Sequence, residues 1–231
     1  RRTKNSRKAE QSHSSYYRQW SPPRPNKRAN RTQTPPPPKT NFEINVAKET
    51  FKFNAAHFVA YRGFRERLHG HNYQVAVRLL GSRTISHDGY LLDFGDLKKV
   101  VKAVCRELNE FFLCPVLSDV MQISVLKGSS EEEGGSKLAH DTVKLVCEDG
   151  ATFLFPLTDC AMLPIVHATT EELAVYLWGK ILTRLEVSYL LKRGIHTMEI
   201  TCAEAPGQDA LFRMEIPTEV GGGGEGVVHV G

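Results

Sequence analysis

The chain reads as an α+β domain, a four-stranded antiparallel sheet with two helices on one face and a small inserted hairpin. Three observations predict it. Strand-like patterns occupy Phe42 to Asn54 and Tyr73 to Leu79 and return over Ile195 to Ile216; two amphipathic helical stretches lie between; and the elements run strand, strand, helix, small hairpin, helix, strand, strand. That order places both helices on one face of the sheet. A sheet covered on one side keeps a long open edge, which favours closed assembly about a symmetry axis.

Phe42, Ile44 and Val46, then Phe51 and Phe53, predict a strand, or a hairpin broken near Lys48-Glu49. Tyr73, Val75, Val77 and Leu79 alternate with Gln74, Ala76 and Arg78, the pattern of a half-buried strand. Leu97, Val100, Val101, Val104, Leu108, Phe111 and Phe112 recur at helical spacing after Asp96, a plausible N-cap. Residues 114–163 read as an insertion, with a glycine-rich tip at Gly128 to Gly135 and a hairpin turning at Glu148-Asp149-Gly150. Thr169-Thr170-Glu171-Glu172 is a capping box that opens a second helix, with Thr169 as cap and Glu172 reaching back. Strands over Ile195–Ala203 and Ala210–Ile216 close the domain, joined by Glu204 to Asp209.

The domain spans 42–217, between a basic, proline-rich tail at 1–41 and a glycine-rich tail at 218–231, both expected to be disordered. Residues 1–40 hold eleven Lys or Arg against one acid, Glu10; they carry +10 of a net +4, leaving −6 on the rest. Tyr16, Tyr17 and Trp20 among these cations suit nucleic acid. The preferred reading is a solvated extension or part of a targeting peptide, so nucleic acid is not the expected partner. No stretch matches the roughly 20 apolar residues of a membrane span. Five scattered cysteines without a C-x-x-C pair fit a reducing compartment, here the cytoplasm.

The chemistry gathers at Ala56 to Tyr73, which holds three of the nine histidines. His69 and His71 share a strand face, and His57 ends a neighbouring apolar run. Three imidazoles without cysteine form the ligand set of a catalytic zinc site, which keeps one position open. An H-x-H pair alone is also compatible with no metal at all.

Five blocks then carry a resemblance: Phe53-Asn54-Ala55-Ala56-His57, Leu68-His69-Gly70-His71-Asn72-Tyr73, Asp93-Phe94-Gly95-Asp96-Leu97-Lys98, the Thr169 to Trp178 stretch, and Glu204. Together they resemble the 6-pyruvoyl-tetrahydropterin synthase family, which includes the 6-carboxy-tetrahydropterin synthases. The resemblance implies the tunnelling fold, with trimers closing their sheets into a barrel and stacking as a homohexamer. It implies Zn2+ on His57, His69 and His71, and a pterin substrate anchored by Glu204, with Thr169 and Thr170 lining its pocket. A carboxylate suits that anchor because the pyrimidine edge of a pterin offers adjacent N–H donors.

The sequence departs from the pattern of pyruvoyl-forming members, which have a cysteine shortly before H-x-H and an Asp-His pair after the first helix. No cysteine occurs between Phe42 and Val104, and Asn109-Glu110 stands at the second place. Glu66 precedes the H-x-H pair instead, which resembles a subgroup that converts 7,8-dihydroneopterin triphosphate to 6-hydroxymethyl-dihydropterin. A carboxylate taking a side-chain hydroxyl proton would promote retro-aldol cleavage. Alternatively, Glu66 pairs with Arg65 or Arg67 on a solvated loop. Arg65, with Arg62 and Arg67, could meet a triphosphate or be surface charge. His167 is the candidate to replace the lost Asp-His pair, ahead of His140-Asp141; Cys160 is a further candidate base or nucleophile. A 6-carboxy-tetrahydropterin synthase-type activity, and a non-catalytic zinc- or pterin-binding assembly using the basic arm, are the alternatives.

Overall fold

The protein is described here by a computed structural model over residues 41–82, 87–128 and 140–218. Except for Asn41, Gly128 and Thr218, the two expected tails and the glycine-rich tip lie outside the described residues.

β1 (Asn41–His57) is one continuous strand, so the hairpin alternative falls; an irregularity between Ala47 and Lys52 absorbs the polar break. A two-residue turn with Gly63 at φ +80° links β2 (Ala60–Tyr61) to β3 (Phe64–Arg65). β4 (His69–Ser82) then runs antiparallel to β1. α1 (Phe94–Arg106) is capped by Asp93, whose carboxylate accepts from the Gly95 amide at 2.6 Å, in place of the expected Asp96.

The expected continuation of α1 through Phe112 is also corrected. Glu110 takes a left-handed φ of +67°, and β5 (Phe111–Pro115) follows as a strand parallel to β1. The apolar spacing of Phe111 and Phe112 suits either element, and burial against a distant strand decides it. β6 (Met121–Leu126), β7 (Thr142–Cys147) and β8 (Thr152–Pro156) form a three-stranded sheet where a hairpin was expected. β9 (Cys160–Leu163) pairs parallel to β5, so the ends of the expected insertion belong to the main sheet.

α2 (Thr170–Leu185) and the short α3 (Val187–Lys192) lead to β10 (Ile195–Ala205) and β11 (Gln208–Glu215). Among the described residues the main sheet has six strands, ordered β11-β10-β4-β1-β5-β9, rather than four. The four expected strands form its antiparallel part, and β5 and β9 extend it.

One face of this sheet is apolar and carries the helices. Phe51, Phe53, Val75, Val77 and Leu79 are buried there against Leu97 and Val101 of α1 and Leu173, Leu177 and Ile181 of α2. Burial of this face supplies the main driving force, and the alternation of β4 sets which side chains meet it. A second apolar cluster joins Phe58, Ala60 and Phe112 to Val143 and Leu145 of the inserted sheet.

Trp178 pins α2 to β10 by donating its indole Nε1–H to the Met198 carbonyl at 2.9 Å inside the core. Trp178→Phe keeps an aromatic ring but leaves that buried carbonyl without the donor. It should lower the stability read from urea unfolding by about 1–3 kcal/mol, as a lower midpoint at unchanged slope.

Candidate active site

The β1–β4 register brings His57 opposite His69 and Ala55 opposite His71. Residues opposed in an antiparallel pair share a face, so the three imidazoles cluster on the helix side at one end of the sheet. Their ring centroids are 4.6 to 5.2 Å apart, and one nitrogen of each lies within 4.8 Å of the others.

Two tautomers follow from the partners. His57 Nδ1 lies 2.7 Å from the Ala168 carbonyl, and His69 Nδ1 lies 2.8 Å from the Arg67 carbonyl. A carbonyl only accepts, so each Nδ1 carries the hydrogen and each Nε2 presents a lone pair. His57 is 2 % exposed, and its Nε2 is buried with no hydrogen-bond partner among the described residues. An unsatisfied buried nitrogen facing two further imidazoles fits a metal ion, and backbone carbonyls on the far nitrogens are the usual outer support. Tetrahedral ligands lie about 3.4 Å apart, so closing on an ion needs only small side-chain rotations.

Ala168 lies in the segment leading into α2, which Glu172 anchors. Its carboxylate accepts the Val166 and His167 amides at 2.7 and 2.9 Å. The expected capping box is therefore half present: Thr169 caps, accepting from the Glu172 amide at 3.4 Å, while the glutamate reaches past it. Thr170 donates its hydroxyl to Glu171. His167 stands beside Ala168 with a buried Nδ1 that lacks a partner among the described residues.

Glu204 is not the loop residue expected. It lies within β10, at the register shift between Ala203 and Ala205, where an extra residue re-aims a side chain. Its Oε2 is 4.0 Å from His71 Nε2. The Pro206-Gly207 turn, with Gly207 at φ +77°, follows it.

Glu66 is tied to Val59 twice: Oε2 accepts the Val59 amide at 3.0 Å, and the Glu66 amide donates to the Val59 carbonyl at 2.9 Å. Its carboxylate thus pairs with neither Arg65 nor Arg67 among the described residues. Arg65 is paired with Asp149 at 2.8 Å, a placement that does not fit a guanidinium left free for phosphate. Arg62 is exposed and Arg67 lies at the rim of the same loop.

The other sequence candidates are engaged elsewhere. Cys160 opens β9 with its thiol pushed up to about 11, chiefly by burial, and so stays protonated at neutral pH. Asp141 binds Lys127 and the Gly128 amide at the neck of the inserted sheet. Asn109 accepts from the Asn54 amide at 2.9 Å and fastens the turn after α1 to β1.

Sequence reasoning missed two neighbours of the site. Tyr73 looked like a core residue, yet its ring meets His57 and His71 edge-on at 5.8 and 5.7 Å, and its buried hydroxyl has no partner among the described residues. Burial pushes that hydroxyl up, helped by nearby Cys202, Glu204 and Glu66. Glu110 lines an open cleft of about 380 Å³ with Asn54, Gly70, His71 and Asn72.

Burial also holds His57 below the ordinary imidazole value of 6.5, outweighing the Ala168 carbonyl, with His69 and His71 adding repulsion. The unfolded chain therefore binds the extra proton between 6.5 and the lowered folded value. Metal-free protein should lose stability as pH falls through that window. Thermal melts in chelator should show this slope, and His57→Gln should flatten it.

Comparison with known proteins places this geometry. Residues 45–215 match the family model described as 6-pyruvoyl tetrahydropterin synthase. The Plasmodium falciparum 6-pyruvoyl tetrahydropterin synthase is 39% identical, with a TM-score of 0.68 over 76% of this chain and 99% of its own. The Plasmodium vivax enzyme is 37% identical, with a TM-score of 0.69 over 77% and 99%. It has also been solved with a glutamate, described as a catalytic residue, changed to alanine and to cysteine. A Methanocaldococcus jannaschii protein, provisionally named 6-carboxy-5,6,7,8-tetrahydropterin synthase, is 29% identical over 74% of this chain and 95% of its own. The match over most of the chain, the shared fold and the histidine cluster agree: this chain belongs to the 6-pyruvoyl tetrahydropterin synthase family.

Proposed function

We propose that the protein is a zinc-dependent lyase of pterin and folate biosynthesis acting on 7,8-dihydroneopterin triphosphate, with 6-hydroxymethyl-dihydropterin as the favoured product over the 6-pyruvoyl compound. The observation that carries this reading is the buried, unpartnered Nε2 of His57, facing two further imidazoles. His57, His69 and His71 would hold the zinc, which supplies Lewis-acid polarisation of a substrate oxygen when bound.

Glu204 accepts two N–H groups from the pterin edge, and Thr169 and Thr170 line the pocket beside it. Glu66 takes the proton of the 2′-hydroxyl. The C1′–C2′ bond then breaks, its electron pair enters the conjugated C6=N5 unit of the pterin, and C2′ leaves as an aldehyde carrying the triphosphate. Reprotonation at C1′ completes the hydroxymethyl group. His167, with its unpartnered Nδ1, is the proposed second proton carrier. Arg62 and Arg67 remain available to a triphosphate, where Arg65 is not.

Support for Glu66 comes from its place before the H-x-H pair and from the catalytic glutamate of the P. vivax enzyme. Similarity to the M. jannaschii protein favours a second reading, a 6-carboxy-tetrahydropterin synthase-type activity. The exposed β11 at one edge of the main sheet suits closure into a barrel, and a homohexamer is the proposed assembly. Among the described residues no helix is long and apolar enough to cross a membrane. Five buried free cysteines agree with the proposed cytoplasmic setting.

Incubating zinc-loaded protein with 7,8-dihydroneopterin triphosphate and reading products by mass should give 6-hydroxymethyl-dihydropterin. Zinc and pterin bound without turnover would leave only a non-catalytic binding assembly. Glu66→Ala should lower turnover by about 100-fold or more with zinc content unchanged. His167→Ala should also lose turnover at full zinc content, and full activity would remove it from the mechanism.

A further inference from the structure

The loop that carries Glu66 is held locally by a short ribbon and by the two bonds between Glu66 and Val59. β2 and β3 are two residues each, too short a ribbon to be stable alone. The inserted sheet holds it. The Gly63 amide donates to the Glu148 carboxylate at 3.0 Å. Arg65 grips Asp149 through Nε and Nη2, both at 2.8 Å. The same guanidinium donates from Nη1 to the backbone carbonyl of Glu66 at 2.8 Å.

Aromatic rings cover this link. The Arg65 guanidinium carbon lies over Phe58 and Phe153 at 5.9 and 5.4 Å, and those two rings stack at 5.0 Å. Phe58 directly follows the metal-site residue His57 and is buried in the apolar cluster of the inserted sheet. A surface ion pair contributes little to stability by itself. This one grips the backbone at residue 66, and the Val59 amide grips the side chain, so the carboxylate is held from two sides.

We infer that the Glu148-Asp149-Gly150 turn of the inserted sheet positions Glu66 for proton transfer, with Arg65 as the link between them. Arg65 and Asp149 are then positioning residues, and the inserted sheet serves the catalytic loop. The inference rests on the reading of Glu66 as the base. It assigns the inserted sheet a role that the histidine cluster and pterin contacts leave unexplained.

The test uses the full zinc-loaded chain with 7,8-dihydroneopterin triphosphate. Asp149→Ala and Asp149→Asn should each lower kcat about tenfold, with KM changed by less than about twofold and zinc content unchanged. Asp149→Glu should restore most of the loss. On the residual turnover of Glu66→Ala, adding Asp149→Ala should have no further effect, because the group being positioned is gone. Wild-type kcat in Asp149→Ala, a rise in KM alone, or a full tenfold loss in the Glu66→Ala background would overturn the proposal. Hydrogen exchange over residues 58–66 separates it from the parent reading. Exchange should quicken in Asp149→Ala whether or not the protein turns over, and unchanged exchange would overturn the tether by itself.

Discussion

The site depends on the register between β1 and β4. Side chains in a strand alternate with a period of two, so a one-residue slip would send His57 to the face opposite His69 and His71. The observed pairing sets His57 across from His69 and stacks Phe53 on Tyr73 at 4.8 Å just behind them. That aromatic pair and the apolar face continuing through Val75 and Val77 hold the register by burial. The three imidazoles are carried along by the same pairing. Ala168 then adds a contact from 111 residues away in sequence and ties the cluster to the start of α2.

Placing the cluster there has an electrostatic cost that the Ala168 carbonyl and Glu204 offset only in part. A neutral His57 in the core would waste a buried nitrogen unless an ion took it, since an orphaned polar atom of this kind costs roughly 1–3 kcal/mol. A divalent cation would meet that need and would meet negative charge as well, because Glu204 lies 4.0 Å from His71. The hydroxyl of Tyr73 adds a neutral dipole that burial keeps protonated. Among the described residues, buried polar groups without partners are thus concentrated on this end of the sheet, which is where binding or chemistry would use them.

Much of this is legible in the chain. The period-two pattern of Tyr73 to Leu79 places β4, and the H-x-H spacing alone puts His69 and His71 on one face. What escapes such a reading depends on contacts far apart in sequence. Phe111 and Phe112 continue a helical spacing, and only the positive φ of Glu110 and parallel pairing with β1 make them a strand. Asp93 and Asp96 are equally good caps on paper, and the Gly95 amide chooses Asp93. Glu204 reads as a turn residue until the shift between Ala203 and Ala205 places it beside His71. The partner of Arg65 cannot be found from its own loop, because Asp149 belongs to the inserted sheet 84 residues on.

X-ray absorption at the zinc edge of the metal-loaded protein tests the account most directly. Three imidazole nitrogens at about 2.0–2.1 Å and one further light-atom ligand are predicted, with the signal lost in His57→Ala. A sulfur shell at about 2.3 Å, or an unchanged spectrum in His57→Ala, would contradict a triad assembled by the β1–β4 register.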